Sequence, residues 1–330
     1  MKIFTFDPGE AASEFQARGY VHVPRGVSPS LLSYASEQQM RFEQEADPSS
    51  QRFRERDFVL PDAETTLEEL FDAVATVCGL DRSRMTLAES QLKGYPAGTN
   101  AQPALHKDRF ASEIAVGIPL RAAPESRFVV YPDQHLEPNP FVSAAMWHRS
   151  LDPSQTPQVL FDGVQPVELD VQPGDAVIFR GARAYHGRTH AAGATVLYFK
   201  LNALRLDPVA ADPSTRRGRE NSLLLVDRLR DEEWLTAVAE LSPRLTEVRR
   251  HYTRDGWQEV LLASVHGERD FRLTELGFRM VRALRGAMRV EQLLREVDIA
   301  DAQWGHAISE LRRMVRFGAI HLVAPVAPSR

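Results

Sequence analysis

Residues 104–110 read ALHKDRF, with His106 and Asp108 separated by a single lysine. In an extended chain successive side chains alternate, so this histidine and this aspartate share a face and can offer an imidazole and a carboxylate to one ion. The pair acquires meaning from its surroundings. From about residue 84 the stretches MTLAESQLKGYPAG, SEIAVGIPL, SRFVVYPD, VQPVELDVQPGDAVIFRG and ATVLYFKLNALRL carry a period of two, punctuated by Pro and Gly. Short strands in succession predict an all-β barrel or jelly roll.

A third ligand lies downstream in GDAVIFRGARAYHGRT, residues 174–189. The Pro-Gly-Asp triplet turns the chain, AVIF reads as a buried strand, and a short loop delivers His186. Two histidines and one carboxylate on one side of an ion leave open positions, the facial triad of non-haem Fe(II) oxygenases. Zinc accepts the same donors, so a hydrolase stays open. The other histidines fit less well. His22 reads as a packing or surface residue on a strand, and His190 falls in the turn after His186. His135 and His148 lie in a loop-rich stretch that could cover the site. His251, His266, His306 and His321 read as polar residues of the C-terminal part. Tyr131, Phe141 and Trp147 are either pocket or core.

The flanks are helical. EAASEFQAR stops at Gly19, YVHV follows as a strand, and a second helix starts at Pro29 with Ser28 as its cap. Residues 41–62 read as a loop, and TTLEELFDAVATVCGL as an amphipathic helix ending at Gly79. After residue 206, DPVAADPSTRRGREN reads as a linker and residues 221–255 as helical. From residue 271 three helices follow, with Gly286 and Gly318 as stops, and AIHLVAP closes the chain as a strand. The organisation expected is residues 1–206 as the metal domain, 207–240 as linker and helix, and 241–330 as a small helical, winged-helix-like domain.

Bulk properties exclude several classes. A hydrophobic content of 43% and a charged content of 26% are those of a soluble globular protein. The net charge of −5 gives no basic excess for nucleic acid. One cysteine, Cys78, permits no intrachain disulfide, and the N-terminus has no signal-like apolar core, so a cytoplasmic location and no membrane partner are expected. Only four lysines occur, Lys2, Lys93, Lys107 and Lys200, against thirty-six arginines. A lysine in such a chain presents a compact charge that arginine does not.

Taken together, EFQARGYVHVPRGVSPSLL, QLKGYPAGTNAQPALHKD and VQPGDAVIFRGARAYHGRT resemble the Fe(II)/2-oxoglutarate-dependent dioxygenases of the phytanoyl-CoA or prolyl hydroxylase type, over about residues 10–205. The Y-P-A-G before H-K-D adds to the likeness. The resemblance implies an α+β chain with a double-stranded β-helix core, jelly-roll or cupin-like, flanked by helices. It implies Fe(II) on His106, Asp108 and His186, with 2-oxoglutarate and O2 as co-substrates. 2-Oxoglutarate would leave as succinate and carbon dioxide while the substrate is oxidised. Related halogenases lack the carboxylate, so Asp108 favours hydroxylation or another oxidation. The family's usual cation for the distal carboxylate is missing, because Val196 stands about ten residues after His186. Lys200 on ATVLYFKLN is the favoured replacement, since a strand lysine among apolar neighbours needs a paired charge. Arg188 and the pair Lys93 with Tyr95 are the others. Lys107 faces away from the ligands and reads as a solvated charge.

The C-terminal LTELGFRMVRALRGAMRVEQLLREVD is similar to the winged-helix recognition element of peptide-modifying enzymes and to the winged helix of some ribosomal oxygenases. From residue 241 on there are 15 Arg against 11 Asp and Glu, a mild excess. The expected substrate is therefore an amino-acid residue of a peptide, as in lanthipeptide-like biosynthesis. A hydroxylase of a free amino acid or small metabolite is the alternative. A cupin-like metal-sensing regulator is a second alternative, distinguished by salt-dependent DNA affinity.

Overall fold

The computed structural model describes residues 1–45, 54–96, 104–252, 258–266 and 270–323. The chain divides into two units, Met1–Arg205 and Leu206–Arg330.

The first unit begins with α1 (Pro8–Arg18), β1 (Tyr20–Val23), α2 (Pro29–Gln44), β2 (Arg54–Asp57) and α3 (Ala63–Cys78). It continues with β3 (Thr86–Gly94), β4 (Ile114–Arg121), β5 (Arg127–Tyr131), α4 (Ala144–Ser150), α5 (Pro157–Leu160), β6 (Val167–Leu169), β7 (Ala176–Phe179), β8 (Tyr185–Thr189) and β9 (Thr195–Asn202). The helix ends follow local chemistry. Asp7 and Ser28 accept hydrogen bonds from the first-turn amides of α1 and α2, with proline at the first helical position of each. Gly19 closes α1 at φ 73°, where a side chain would be strained.

Six strands form one antiparallel sheet in the order β1-β7-β4-β9-β3-β2, and three form a smaller one, β6-β5-β8. From β4 onward the chain passes between the two sheets in the manner of a jelly roll. Tyr20, Ala115, Val177 and Phe179 of the larger sheet pack on Phe128 and Val130 of the smaller, with the rings of Phe128 and Phe179 4.8 Å apart. The Pro-Gly-Asp turn anchors this packing. The buried Asp175 accepts the amides of Arg25 and Gln172 and also bonds the His22 ring at 2.9 Å, tying the start of β7 to β1.

Two sequence expectations for this unit are corrected. Residues 41–62 are not all loop, because α2 runs on to Gln44 and RERD forms the edge strand β2; residues 46–53 lie outside the described residues. An edge strand with both faces polar carries no apolar alternation to read. His186 is delivered by the strand β8, not by a loop. The expected strand residues Ala97 and Gly98 also lie outside the described residues.

The second unit holds α6 (Pro213–Arg228), α7 (Asp231–Trp234), β10 (Val238–Leu241), β11 (Leu245–Tyr252), β12 (Glu259–Val265), β13 (Phe271–Arg272), α8 (Glu275–Ala283), β14 (Met288–Arg289), α9 (Val290–Glu296), α10 (Trp304–Phe317) and β15 (Ile320–Val323). Its strands form two three-stranded sheets, β14-β10-β15 and β11-β12-β13. Trp234, Met280, Leu293, Leu311 and Met314 are fully buried in its core. The helices from 275 and the terminal strand lie where the sequence places them, and Gly318 ends α10 at φ 97°. The helical reading of 221–255 fails beyond α7, and the linker reading fails at Pro213, where α6 begins. The unit is a mixed α and β structure, not a small helical one. β11 escaped because its LTEVRRHY is largely solvent-facing, with arginines where an apolar alternation would betray a strand.

Asp207 is fully buried and accepts the amides of Ala211 and Asp212 and the Thr215 hydroxyl. Burial outweighs these bonds and pushes its pKa up to about 6. A carboxyl raised in the folded state opposes folding once ionised. Its contribution is therefore favourable at low pH and is lost as pH rises from the unfolded value near 3.8 through about 6. Denaturant titrations of wild type and Asp207→Asn between these pH values should diverge in slope by on the order of 1–3 kcal/mol, the variant losing less stability as pH rises. Parallel profiles would show that Asp207 is not the titrating group.

Candidate metal centre

His106 and His186 come from distant parts of the chain and meet through their backbones. Each amide donates to the other residue's carbonyl at 2.9 Å. His186 is held from its other side by β5, opposite Val130. Each ring is oriented in the same way. His106 Nδ1 lies 2.9 Å from the Ala104 carbonyl oxygen and His186 Nδ1 3.0 Å from that of Ala184. A carbonyl only accepts, so Nδ1 carries the proton in both rings and Nε2 keeps its lone pair.

Asp108 completes the group. Its amide donates to the Gly181 carbonyl at 2.9 Å, and its own carbonyl accepts from the buried Asn139 side chain at 2.9 Å. Its Oδ1 stands 3.7 Å from His106 Nε2, and its Oδ2 stands 3.8 Å from His186 Nε2. One ligand atom from each residue lies within 4.8 Å of the others. Only His106 in the 104–110 stretch pairs as a strand residue. Its shared face with Asp108 is therefore imposed by two separate anchors, β8 on one side and Gly181 on the other.

Asp108 Oδ2 is buried and has no hydrogen-bond partner. A buried carboxylate oxygen left bare is costly unless something positive meets it. The two Nε2 lone pairs beside it give the donor set a divalent ion requires, so the residues fit a metal. The protonation states suit this. Desolvation, reinforced by His186, pulls His106 down to about 3. Burial likewise lowers His186. Burial alone would raise the Asp108 carboxyl, but Lys200 and then the two imidazoles outweigh it and hold it below the usual carboxylate range. At neutral pH the site thus presents two neutral imidazoles and one carboxylate.

The cavity beside these ligands is lined by Gln91, Lys93 and Tyr95, by Phe128, by Arg188, and by Tyr198 and Lys200. The sequence-proposed cations all reach it but differ in their bonding. Lys200 Nζ lies 2.8 Å from Asp108 Oδ1 and 3.3 Å from Glu89 Oε2. Lys93 pairs with Glu55 at 3.1 Å. Tyr95 is buried against Ala191 and Ala194, and desolvation raises its phenol well above the ordinary value. Arg188 is 5% exposed, gives Nη1 to the Ser126 hydroxyl at 3.1 Å, and leaves its buried Nε without a partner. No carboxylate meets Arg188 among the described residues.

Lys107 does turn away from the ligands, but it is not solvated. It is 0% exposed, with Nζ donating to the carbonyls of His135 and Glu137 and lying 5.0 and 4.8 Å from the ring centres of Trp147 and Tyr185. Trp147, Tyr131 and Tyr185 pack with Phe161, away from the metal ligands. His22 belongs to the Asp175 anchor, and His190 lies on the surface 3.9 Å from Glu125. Glu89, Phe128, Tyr198, Asn139 and Gly181 were not found from sequence. Glu89 had a signal, since it shares the period-two face of Gln91 and Lys93. Gly181 through its carbonyl and Asn139 through its side-chain amide hold the Asp108 main chain, contacts that only the tertiary fold creates.

No family model matches the chain, and no curated protein matches it. Solved structures of similar course do exist. HygX from Streptomyces hygroscopicus, determined with nickel and 2-oxoglutarate bound, is 15% identical with a TM-score of 0.42, over 61% of this chain and 88% of that one. An oxidoreductase of the 2OG-Fe(II) oxygenase family from Burkholderia pseudomallei is 16% identical with a TM-score of 0.39, over 62% and 93%. A Pseudomonas putida prolyl-4-hydroxylase is 13% identical with a TM-score of 0.36, over 59% and 99%.

A Cβ at Gly181 would lie 2.7 Å from Asp108 Oδ2, 2.9 Å from the Ser112 carbonyl oxygen and 3.3 Å from Ala115 Cβ. Backbone and core cannot yield, so the carboxylate must. Gly181→Ala should weaken Mn(II) binding by about tenfold or more, equivalent to about 1.4 kcal/mol, and His186→Ala should abolish it. Calorimetric titration of the folded variants measures both. Wild-type affinity in Gly181→Ala would mean that Asp108 is not a ligand.

Proposed function

We propose that the first unit is an Fe(II)- and 2-oxoglutarate-dependent oxygenase. The carrying observation is the bare Asp108 Oδ2, converging with two imidazole lone pairs on the edge of a cavity that also holds a buried, carboxylate-free arginine. When bound, Fe(II) with 2-oxoglutarate and O2 supplies an oxidant able to break a substrate C–H bond, with succinate and carbon dioxide released. His106, Asp108 and His186 would hold the ion and leave open positions for the co-substrates. Arg188 shares a strand face with His186, lines the cavity and leaves its buried Nε without a partner. It suits the distal carboxylate of 2-oxoglutarate better than Lys200, whose charge is already met by Asp108 and Glu89. Phe128 and Phe179 pack against the His186 ring and keep water from that side.

The reaction we favour is hydroxylation of an amino-acid residue in a peptide. Support comes from the retained carboxylate ligand and from the similarity of the C-terminal sequence to peptide-recognition modules. Hydroxylation of a free amino acid or small metabolite would use the same centre.

The test is oxygen-dependent succinate formation from 2-oxoglutarate by protein loaded anaerobically with Fe(II). Wild type should form succinate and His106→Ala should not. Arg188→Met should raise the KM for 2-oxoglutarate by tenfold or more, as expected from the loss of a charge-assisted bond of about 1.5–3 kcal/mol. No succinate from wild type, with no change in the spectrum of the bound metal on adding 2-oxoglutarate, would sink the reading. An unchanged KM in Arg188→Met would move the carboxylate to Lys200 or Lys93.

A further inference from the structure

Lys200 stands directly opposite Glu89 in the β3–β9 register, so the larger sheet delivers an ammonium and a carboxylate side by side beneath the metal ligands. The ammonium bridges them, with Nζ 2.8 Å from Asp108 Oδ1 and 3.3 Å from Glu89 Oε2. Glu89 is itself held by Arg109 at 2.5 Å and by the Gln91 amide. Four charges of alternating sign thus run from the metal ligand into the sheet, Asp108, Lys200, Glu89 and Arg109, and they balance without any ion. The two Asp108 oxygens are treated differently: Oδ1 carries the lysine and Oδ2 carries nothing.

We infer that Lys200 is a positioning residue that restricts Asp108 to a one-oxygen ligand and so keeps a coordination position open. A carboxylate can bind an ion through one oxygen or both, and a second oxygen would take a position that a co-substrate needs. Oδ1, 3.7 Å from His106 Nε2, is committed to the ammonium, and Oδ2, 3.8 Å from His186 Nε2, is the oxygen left bare for an ion. Arginine would bring a planar fork in place of a point charge, which suits a single oxygen less well. That fits the presence of a lysine here in a chain whose cations are nearly all arginine. The inference rests on the triad as a metal site and does not need 2-oxoglutarate.

The experiment loads full-length protein with Mn(II) alone and counts exchangeable water ligands by electron spin echo spectroscopy in D2O. An octahedral ion on two imidazoles and one carboxylate oxygen keeps about three waters. Wild type should show that number. Lys200→Met and Lys200→Leu remove the ammonium while keeping most of the side-chain volume, and both are measured so that the count rests on a variant that folds. Each should lose one water as Asp108 takes the ion through both oxygens. An unchanged count would overturn the inference. A folded variant that binds no Mn(II) would overturn it too, because the lysine would then build the site instead of limiting it. Failure of wild type to bind Mn(II) would overturn the metal reading itself. Mn(II) binding without succinate formation would touch only the proposed activity.

Discussion

The paired backbone hydrogen bonds between His106 and His186 are the constraint on which the site depends. They join a segment with little strand structure of its own to a strand of the smaller sheet. They place two imidazoles side by side before any side-chain contact is considered, with ring centres 4.5 Å apart. Two like rings this close would repel if protonated, and burial with mutual proximity keeps them neutral. The carboxylate then needs positioning from a third direction, and the Gly181 carbonyl provides it. Gly181 lacks a side chain for a plain steric reason, since Asp108 and Ser112 fill the space one would occupy.

The charges around the ligands show a division of labour. Lys200 and Arg109 balance Asp108 and Glu89, and the attraction for a cation is left to the bare Asp108 Oδ2 and the two imidazole lone pairs beside it. Arg188 stands apart from that balance as a buried positive charge bonded to a hydroxyl. Such a guanidinium is poorly compensated by the protein alone, and an anionic ligand in the cavity would compensate it.

Much of this is legible in the sequence. The three candidate ligands announce themselves because H-x-D and the later histidine fall among strands with a shared period of two, and the cavity-lining cations were each identifiable by residue. The bonding of those cations was not legible. Nothing in ATVLYFKLN says that Lys200 will meet Asp108, because that contact depends on the register of β9 against β3. The expectation of a solvated Lys107 fails for a related reason. Facing away from the ligands usually means facing solvent, but here an insert covers that side. In the second unit α8, α9 and α10 were legible from their apolar period, and Gly318 stops α10 as expected, whereas α8 ends at Ala283, short of the expected stop at Gly286. The strands β10 to β13 were not, since short or solvent-facing strands lack the alternation that marks a half-buried one.

The burial of Lys107 also bears on how this architecture can vary. Its ammonium is held by the carbonyls of His135 and Glu137, and Asn139 bonds the Asp108 carbonyl from the same stretch. The insert between β5 and β6 is therefore rooted at the metal loop, at His135 and Glu137 through main-chain carbonyls that no side-chain replacement there removes and at Asn139 through its side-chain amide. Farther along, Val142, Met146 and Val159 are 54%, 39% and 55% exposed and make little of the packing. A segment rooted at the metal loop and packed inward through Trp147 and Phe161, with Val142, Met146 and Val159 outward, can change that outer surface while the ligands stay where they are. Selection on what approaches the site and selection on the chemistry within it can then proceed on separate residues.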